Sequence, residues 1–228
     1  MTGCETCRLA EFCFPPGLEK AHVHLLDKLI NKQKIFHKSD YLFKAGASFK
    51  NIVVIRSGSI KTYKINAQGD QLITGFCYPG EVLGLNAIAT KCYQENAVAL
   101  DTVSVCELSF CEFEKVAEQV PSFQRQLIKM MSEKLCHTGI INLSSSAESK
   151  MAFFLLSISQ KMKNYGTSGL DFKLSMTRED IAKYLGLASE TVSRVLSKFQ
   201  LSNLVACSQK NVQLKAYDQL VSLAEHVG

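Results

Sequence analysis

Short apolar runs separated by turn residues occupy the stretch from Gln33 to Phe110, and this pattern restricts the possible folds more than any other feature. Gly-containing turns such as Lys44-Ala-Gly46 and Arg56-Ser-Gly58 follow the runs. Five strands are predicted, over Tyr41–Phe43, Asn51–Ile55, Ser59–Ile65, Leu72–Tyr78 and Thr102–Phe110. Short strands at such spacing are typical of a β-barrel or jelly roll, and no helix long enough for a parallel crossover separates them.

After Phe110 the pattern becomes helical. Phe113 and Val116 predict one short helix, and Pro121 suits the first position of a longer helix, where its missing N–H is of no consequence. An apolar stripe then recurs every three or four residues, formed by Ile128, Met131, Leu135 and, more weakly, Thr138. A long, narrow stripe predicts contact between two helices of a dimer, and packing on the chain's own barrel is the alternative.

The chain from Ala147 onward combines helices with a short hairpin. The predicted elements are a helix over Glu148–Lys163, a strand over Phe172–Leu174, helices over Thr177–Leu185 and Ser189–Phe199, and a hairpin of Leu204–Cys207 with Val212–Lys215. Thr177 and Asp180 predict a capping box, and Ser189 is predicted to cap the second helix of the closely coupled pair. Two helices joined by Gly186-Leu187-Ala188 and followed by a hairpin indicate a winged helix-turn-helix.

The second helix of this pair has side chains suited to reading base edges. Glu190, Ser193 and Arg194 share one predicted exposed face near its N-terminus, where a recognition helix meets DNA. Arginine binds guanine with two hydrogen bonds and glutamate accepts from cytosine N4, so we expect this trio to read a C·G step. Thr177, Lys198 and Gln200 are candidates for phosphate contacts. The net charge of +5 is compatible with a polyanionic partner. The alternative interpretation of this helix pair is a charged helical hairpin on the surface that binds no ligand.

Nine cysteines are unusual for a chain that we expect to lie in the reducing cytoplasm, and their odd number excludes a fully paired disulfide framework. Cys4, Cys7 and Cys13 form a Cys-x2-Cys-x5-Cys run that closes at Pro15-Pro16. Three thiolates make an incomplete set, since a closed metal site needs a fourth ligand. From the residues alone this is a soft-metal site, and zinc and iron–sulfur chemistry are both open.

The whole chain resembles the Crp–Fnr superfamily of transcription regulators, and within it the Fnr type, the anaerobic fumarate–nitrate reductase regulators. The resemblance is dense in four places: Leu42–Gly46, Ile55–Gly58 with Ile60 and Lys61, Gly69–Asp70 with Ile73–Phe76, and the helix-turn-helix. It implies an α+β chain with a β-roll (jelly-roll, cyclic-nucleotide-binding-like) sensor domain, a long dimerisation helix and a C-terminal winged helix-turn-helix. The implied boundaries are 1–17 for the cysteine loop, 18–120 for the β-roll, 121–146 for the helix and 147–228 for the DNA-binding domain.

The resemblance also implies the cofactor and the partners. In the family a β-roll strand supplies the fourth cluster ligand, and the matching stretch Asp101–Phe110 makes Cys106 that ligand, with Cys111 the next candidate. Cys4, Cys7, Cys13 and Cys106 would then hold an oxygen-labile 4Fe–4S cluster. The implied partners are a second copy of the chain, RNA polymerase and a palindromic TTGAT…ATCAA operator in double-stranded DNA. Ser189, where the cyclic-AMP branch has a base-reading arginine, fits the Fnr-type operator better.

Other functions are open but less well supported by the residues. Gly80–Gly84 resembles the start of a cyclic-nucleotide phosphate cassette, yet Gln94–Ala97 has an acid where that cassette needs an arginine, and a carboxylate repels phosphate. His22-Val-His24 superficially resembles a metal-binding cupin enzyme but lies before the strands. A zinc-based or thiol-based regulator of the same fold is the main rival. No apolar run approaches the length of a membrane span, so we expect a cytoplasmic protein with no membrane partner. The sequence has no nucleophile elbow, P-loop or dinucleotide fingerprint, so we expect that it is not an enzyme.

Overall fold

A computed structural model describes residues 30–138 and 146–225 of the chain. Strands come first, as β1 (Ile30–Phe36), β2 (Tyr41–Phe43), β3 (Asn51–Ser57), β4 (Ile60–Ile65), β5 (Gln71–Cys77), β6 (Val82–Leu83), β7 (Asn96–Ala99) and β8 (Val103–Ser109), with a 3-10 turn at Leu85–Ala87. The five predicted strands are all present, within two residues of their predicted bounds. The segment before residue 30, where a short helix is predicted over Leu18–Leu29, lies outside the described residues.

The eight strands form two four-stranded sheets. One has the order β1-β8-β3-β6 and the other β2-β7-β4-β5, and the pairs β1–β8, β3–β8, β3–β6, β2–β7 and β4–β7 are antiparallel. Side chains alternate between the two faces of a strand, and the inward set from both sheets makes one apolar core. Its members include Phe43, Val53, Ile55, Ile60, Leu83, Tyr93, Ala97, Ala99, Val103 and Val105. The expected β-roll is therefore confirmed.

Three strands were not predicted, and each is short or poor in β-forming residues. Strand β7 reads Asn-Ala-Val-Ala, and alanine and asparagine are both depleted in strands. It nevertheless lies between β2 and β4, because pairing on both sides satisfies its backbone groups. Strand β1 has the largely polar sequence Ile-Asn-Lys-Gln-Lys-Ile-Phe, and strand β6 has only two residues. Long-range pairing outweighs local preference in these segments.

The turn between β3 and β4 depends on Gly58. This residue has a φ of +83°, a region that side chains disfavour, and a Cβ built on it would lie 2.5 Å from the Thr102 carbonyl oxygen. The Asp101 carboxylate lies beside it, accepting from the Ser59 N–H at 2.8 Å and the Ser59 hydroxyl at 3.0 Å. The turn between β3 and β4 is therefore packed directly against the backbone of the loop that contains Asp101 and Thr102.

We expect Gly58→Ala to lower the free energy of unfolding by about 3 kcal/mol, because both the left-handed backbone and the Thr102 contact oppose a side chain. Gly46→Ala is the matched control, since Gly46 has a φ of +82° but nothing within 4 Å of its would-be Cβ. That variant should lose only about 1 kcal/mol. Denaturant unfolding followed by circular dichroism measures both, and equal losses would contradict the packing argument.

Two helices follow the strands, α1 (Phe110–Gln119) and α2 (Pro121–Thr138). Pro121 is the first residue of α2, as predicted from the missing proline N–H. The predicted long helix continues to residue 146, but residues 139–145 lie outside the described part of the chain.

The C-terminal part contains α3 (Ala147–Asn164), β9 (Asp171–Lys173), α4 (Arg178–Leu185), α5 (Ser189–Leu201), β10 (Val205–Ser208), β11 (Asn211–Leu214) and α6 (Tyr217–Glu225). The three strands form an antiparallel sheet of order β10-β11-β9, which is the wing. Buried residues from all three central helices, among them Phe154, Leu155, Ile181, Leu185, Val192 and Phe199, form the core of this part. The winged helix-turn-helix is confirmed, and α6 is an additional helix that was not predicted.

The chain divides into two compact units. One contains the described residues up to Lys64 together with Phe76–Leu135, and the other contains Ile65–Gly75 together with the chain from Cys136 onward. In the described part of the chain, every helix is too short or too polar to cross a membrane.

Candidate functional site

The helix-turn-helix is built from a capping box and a left-handed glycine. Thr177 caps α4: its hydroxyl accepts from the Asp180 N–H at 3.0 Å, and the Asp180 carboxylate accepts from the Thr177 N–H at 3.1 Å. Gly186 ends α4 with a φ of 65°, a conformation that glycine adopts without steric cost. The chain then turns sharply into α5, with Ile181 and Val192 fully buried between the helices.

The solvent face of α5 carries the predicted base-reading residues. Glu190, Ser193 and Arg194 are all exposed, whereas Val192 and Val195 on the opposite face are buried. The Ser193 hydroxyl donates to the Ser189 carbonyl at 3.1 Å, which leaves its lone pairs as acceptors. The structure therefore brings this trio together on one accessible surface of the recognition helix.

The predicted cap of α5 was wrong by one position. Ala188, which has extended backbone angles, is the N-cap and makes no side-chain capping bond, while Ser189 is the first helical residue. The αL residue Gly186 ends α4 two residues earlier, and the short turn leaves Ala188 at the capping position. Ser189 is instead the first residue of α5, and its backbone carbonyl is the group that accepts the Ser193 hydroxyl.

The three predicted phosphate contacts all hold partners within the domain. The Thr177 hydroxyl also donates to the Asp180 carboxylate at 2.9 Å. Lys198 Nζ lies 2.7 Å from Glu148 Oε1, and the Gln200 amide donates to the Cys207 carbonyl at 3.4 Å. Contacts with DNA would have to share or replace these bonds.

Three other basic side chains of this domain were not among the predicted phosphate contacts. Lys150 Nζ donates to the Leu185 carbonyl at 3.2 Å, and Lys210 Nζ donates to the Ser175 carbonyl at 2.8 Å. No sequence signal predicts these two hydrogen bonds, because each carbonyl partner is 35 residues away and is brought near only by tertiary packing. Arg178 could have been found, since it is the first residue of α4, directly after the Thr177 cap.

The thiol of Cys207, in strand β10 of the wing, is close enough to Arg178 to feel its charge. Burial raises the pKa of the Cys207 thiol, and the positive charge of Arg178 acts weakly in the opposite direction. Cys207 is therefore a protonated, poorly nucleophilic thiol at neutral pH.

Cys106 lies in β8 on the face of the sheet that points away from the apolar core. Its neighbour Val105 belongs to the core, and alternation along a strand turns Cys106 to the outer face. Its cross-strand neighbours are Val54 in β3 and Gln33 in β1. Cys106 is 9% exposed and is not part of a disulfide.

Strand β1 connects this position to the N-terminal cysteines, which themselves lie outside the described residues. The chain from Cys4, Cys7 and Cys13 enters the sheet through β1, the strand directly beside Cys106. Among the described residues, no group of three His, Cys, Asp or Glu side chains is placed to hold a metal ion. A metal centre at Cys106 would therefore draw ligands from elsewhere in the chain. Cys111, the alternative fourth ligand, is exposed in the first turn of α1.

The region that resembles a nucleotide cassette contains a buried acid. Glu95 is 5% exposed and accepts a hydrogen bond from the Asn86 amide at 3.1 Å. The Glu81 carboxylate is engaged within its own turn, where it accepts a hydrogen bond from the Tyr78 N–H at 2.7 Å. A buried carboxylate where the cyclic-AMP branch has arginine would repel a phosphate, and this disfavours cyclic-nucleotide binding.

The apolar stripe of α2 is exposed where its side chains are described. Ile128 is 65% exposed and Met131 is 38% exposed. The side chains of Leu135 and Thr138 lie outside the described part of the structure. Two large apolar side chains on one turn of a helix suit burial against a partner.

A β-roll followed by a long helix and a winged helix-turn-helix with an exposed recognition face defines a class of protein, the DNA-binding transcription regulators. Comparisons with known proteins agree. Residues 33–120 match the family described as "Cyclic nucleotide-binding domain", and residues 149–223 match "Crp-like helix-turn-helix domain". The chain belongs to the Crp–Fnr family of transcription regulators, as the sequence resemblance predicted, and its relatives are regulators rather than enzymes.

Three relatives show how far the similarity extends. The chain is 37% identical to the "Fumarate and nitrate reduction regulatory protein" of Salmonella typhimurium over 98% of this chain and 90% of that one. It is 36% identical to the "Transcriptional activator protein Anr" of Pseudomonas protegens over 97% and 92% of the two chains. Its fold matches FixK2 from Bradyrhizobium japonicum with a TM-score of 0.77 and 25% identity, over 84% of this chain and 96% of that one.

Proposed function

We propose that this regulator responds to oxygen through a 4Fe–4S cluster held by Cys4, Cys7, Cys13 and Cys106. The observation that carries the proposal is the outward position of Cys106 beside β1, the strand through which the N-terminal cysteines join the sheet. The step from Cys13 to Ile30 can span roughly 55–60 Å when extended, so chain length does not prevent the four thiols from meeting. The similarity to regulators of fumarate and nitrate reduction also supports the proposal of an oxygen-responsive cluster.

The surroundings of Cys106 fit a thiolate ligand. Val54 on one side is buried and Gln33 on the other is exposed, while Cys106 itself is buried, so its thiol is shielded from bulk solvent. When bound, the cluster supplies the oxygen-labile chemistry of the sensor. The protein holds the fourth ligand on a paired strand, and the N-terminal segment becomes tied to the β-roll only while the cluster is intact.

We further propose that the protein binds a TTGAT…ATCAA-like palindrome as a dimer in the cytoplasm and acts with RNA polymerase, as an activator. Glu190, Ser193 and Arg194 would read base edges, with Ser189 beside them at the start of α5. Two copies related by a twofold axis would place their recognition helices about one helical turn apart on the operator. The word activator in the names of the Anr relatives supports the direction of regulation.

The dimer seam is proposed to run along α2 through Ile128, Met131, Leu135 and Thr138. We expect the double substitution Ile128→Glu with Met131→Glu to shift the protein from dimer to monomer, because two acids would oppose each other across a twofold axis. Sedimentation velocity at micromolar concentration measures the shift. Lys129→Glu is the control, since Lys129 is exposed but off the stripe. An unchanged dimer in the double variant would place the interface elsewhere.

Metal analysis of anaerobically purified protein tests the sensor proposal. Iron, sulfide and zinc are measured, and absorption spectra and palindrome binding are recorded before and after exposure to air. We expect about four irons and four sulfides per chain, with bleaching and loss of DNA binding in air. Stoichiometric zinc, or DNA binding that air leaves unchanged, would support the rival zinc-based or thiol-based regulator instead.

A further inference from the structure

The first turn of α3 contacts both helices of the helix-turn-helix. Glu148 Oε1 accepts from Lys198 Nζ in the last turn of α5 at 2.7 Å. Two residues further along α3, Lys150 Nζ donates to the carbonyl of Leu185, the last residue of α4, at 3.2 Å. A single turn of helix is therefore bonded to the end of α4 and to the end of α5.

This turn is itself fixed in place. Ser146 caps α3, since its hydroxyl accepts from the Ser149 N–H at 3.0 Å. Directly behind it, Ser149 and Met151 are buried in the core of the domain. The cap and the core hold the backbone of Glu148 and Lys150, so both side chains extend from a rigid base.

The ion pair acts close to the base-reading face. Lys198 lies four residues after Arg194, which is one turn along α5 on the same side of the helix. A bond from Lys198 to the start of α3 limits rocking of α5 about its buried face. Small rotations of that kind would displace the Arg194 guanidinium from the base that it contacts.

We propose that Glu148 and Lys198 are a positioning pair that orients the recognition helix for specific DNA binding. Glu148 is negatively charged in a domain that binds a polyanion, so on charge alone its removal should strengthen DNA binding. As a positioning residue it does the opposite, because its loss frees α5. The two roles therefore predict opposite signs for one substitution. This proposal needs DNA binding by the family fold and is independent of the cluster.

The test measures binding of anaerobically purified protein to two duplexes by fluorescence anisotropy over a range of salt concentrations. One duplex is selected by the wild-type protein from a random pool, so that its sequence does not depend on the proposed operator, and the other is a scrambled duplex of equal length. For Glu148→Gln we expect about two- to fivefold weaker binding to the selected duplex, in line with an exposed ion pair. Binding to the scrambled duplex should stay equal or become slightly tighter.

A double-mutant cycle separates positioning from phosphate contact. Lys198→Gln should weaken selective binding as much as Glu148→Gln, the double variant should be no worse than either, and the exchanged pair Glu148→Lys with Lys198→Glu should recover most of the affinity. A phosphate contact instead predicts that Lys198→Gln weakens binding to both duplexes and lowers the logarithmic salt slope by about one. It also predicts no recovery in the exchanged pair.

Glu179→Gln is the charge-matched control, because it removes an acid of the same domain that pairs with Lys183 at 2.7 Å within α4 alone. It should leave the ratio of selected to scrambled affinity unchanged. Thermal unfolding of each variant confirms that the domain is folded. If Glu148→Gln tightens binding to both duplexes, the positioning role is overturned. Failure of the wild-type protein to prefer TTGAT…ATCAA would overturn the proposed operator and leave this test intact.

Discussion

Anaerobically purified Cys106→Ser protein is expected to lack the proposed 4Fe–4S cluster, with iron and sulfide falling from the about four of each per chain expected for the wild-type protein to below one. Cys106 is the proposed ligand that the β-roll itself contributes, and a neutral serine hydroxyl is a poor replacement for a thiolate on a soft metal cluster. The three N-terminal thiolates would then form an incomplete site. Visible absorption together with iron and sulfide analysis measures the loss.

Cys111→Ser is the matched control for this experiment. Cys111 lies five residues from Cys106 but is an exposed residue in the first turn of α1 instead of a residue on the outer face of β8. We expect it to keep the cluster and its sensitivity to air. The reverse result, with cluster loss in Cys111→Ser alone, would transfer the fourth ligand to α1. Retention of the cluster in both variants would exclude Cys106 and Cys111 as the fourth ligand.

The second large effect is expected at Arg194. Arg194→Ala should weaken binding to the palindrome at least tenfold and relax the preference at one base pair of each half-site, because a bidentate arginine–guanine contact accounts for about 1–3 kcal/mol of discrimination. Arg194 is exposed on α5 while Val195 beside it is buried, so the substitution leaves the core intact. Anisotropy with palindromes changed at single base pairs measures both affinity and preference.

Arg194→Lys separates the charge of this residue from its geometry. Lysine keeps the positive charge but lacks the planar fork that matches guanine O6 and N7. We therefore expect the variant to keep its affinity for scrambled DNA and its salt slope while losing preference at the same base pair. If Arg194→Ala lowers affinity equally for every sequence, Arg194 contacts the phosphate backbone instead.

Much of the fold could be predicted because its signals are local. The capping box of Thr177 and Asp180, the start of α2 at Pro121 and the wing hairpin all depend on residues a few positions apart. Strand β7 could not be predicted, since its alanines join the sheet only through pairing with β2 and β4. The cap of α5 was displaced by one residue for a related reason: the left-handed Gly186 decides where the turn ends.

In the candidate sites, too, some features follow from local sequence and others depend on the tertiary structure. The sequence by itself determined five strands of the β-roll, the helix-turn-helix with its wing, the run of three N-terminal cysteines and the trio Glu190, Ser193 and Arg194, because periodicity and spacing are properties of neighbouring residues. Only the tertiary structure decided that Cys106 points outward beside β1 and that Lys198 pairs with Glu148, 50 residues away. Strand register and the packing of α5 on α3 set these partners, and both depend on contacts between distant segments of the chain.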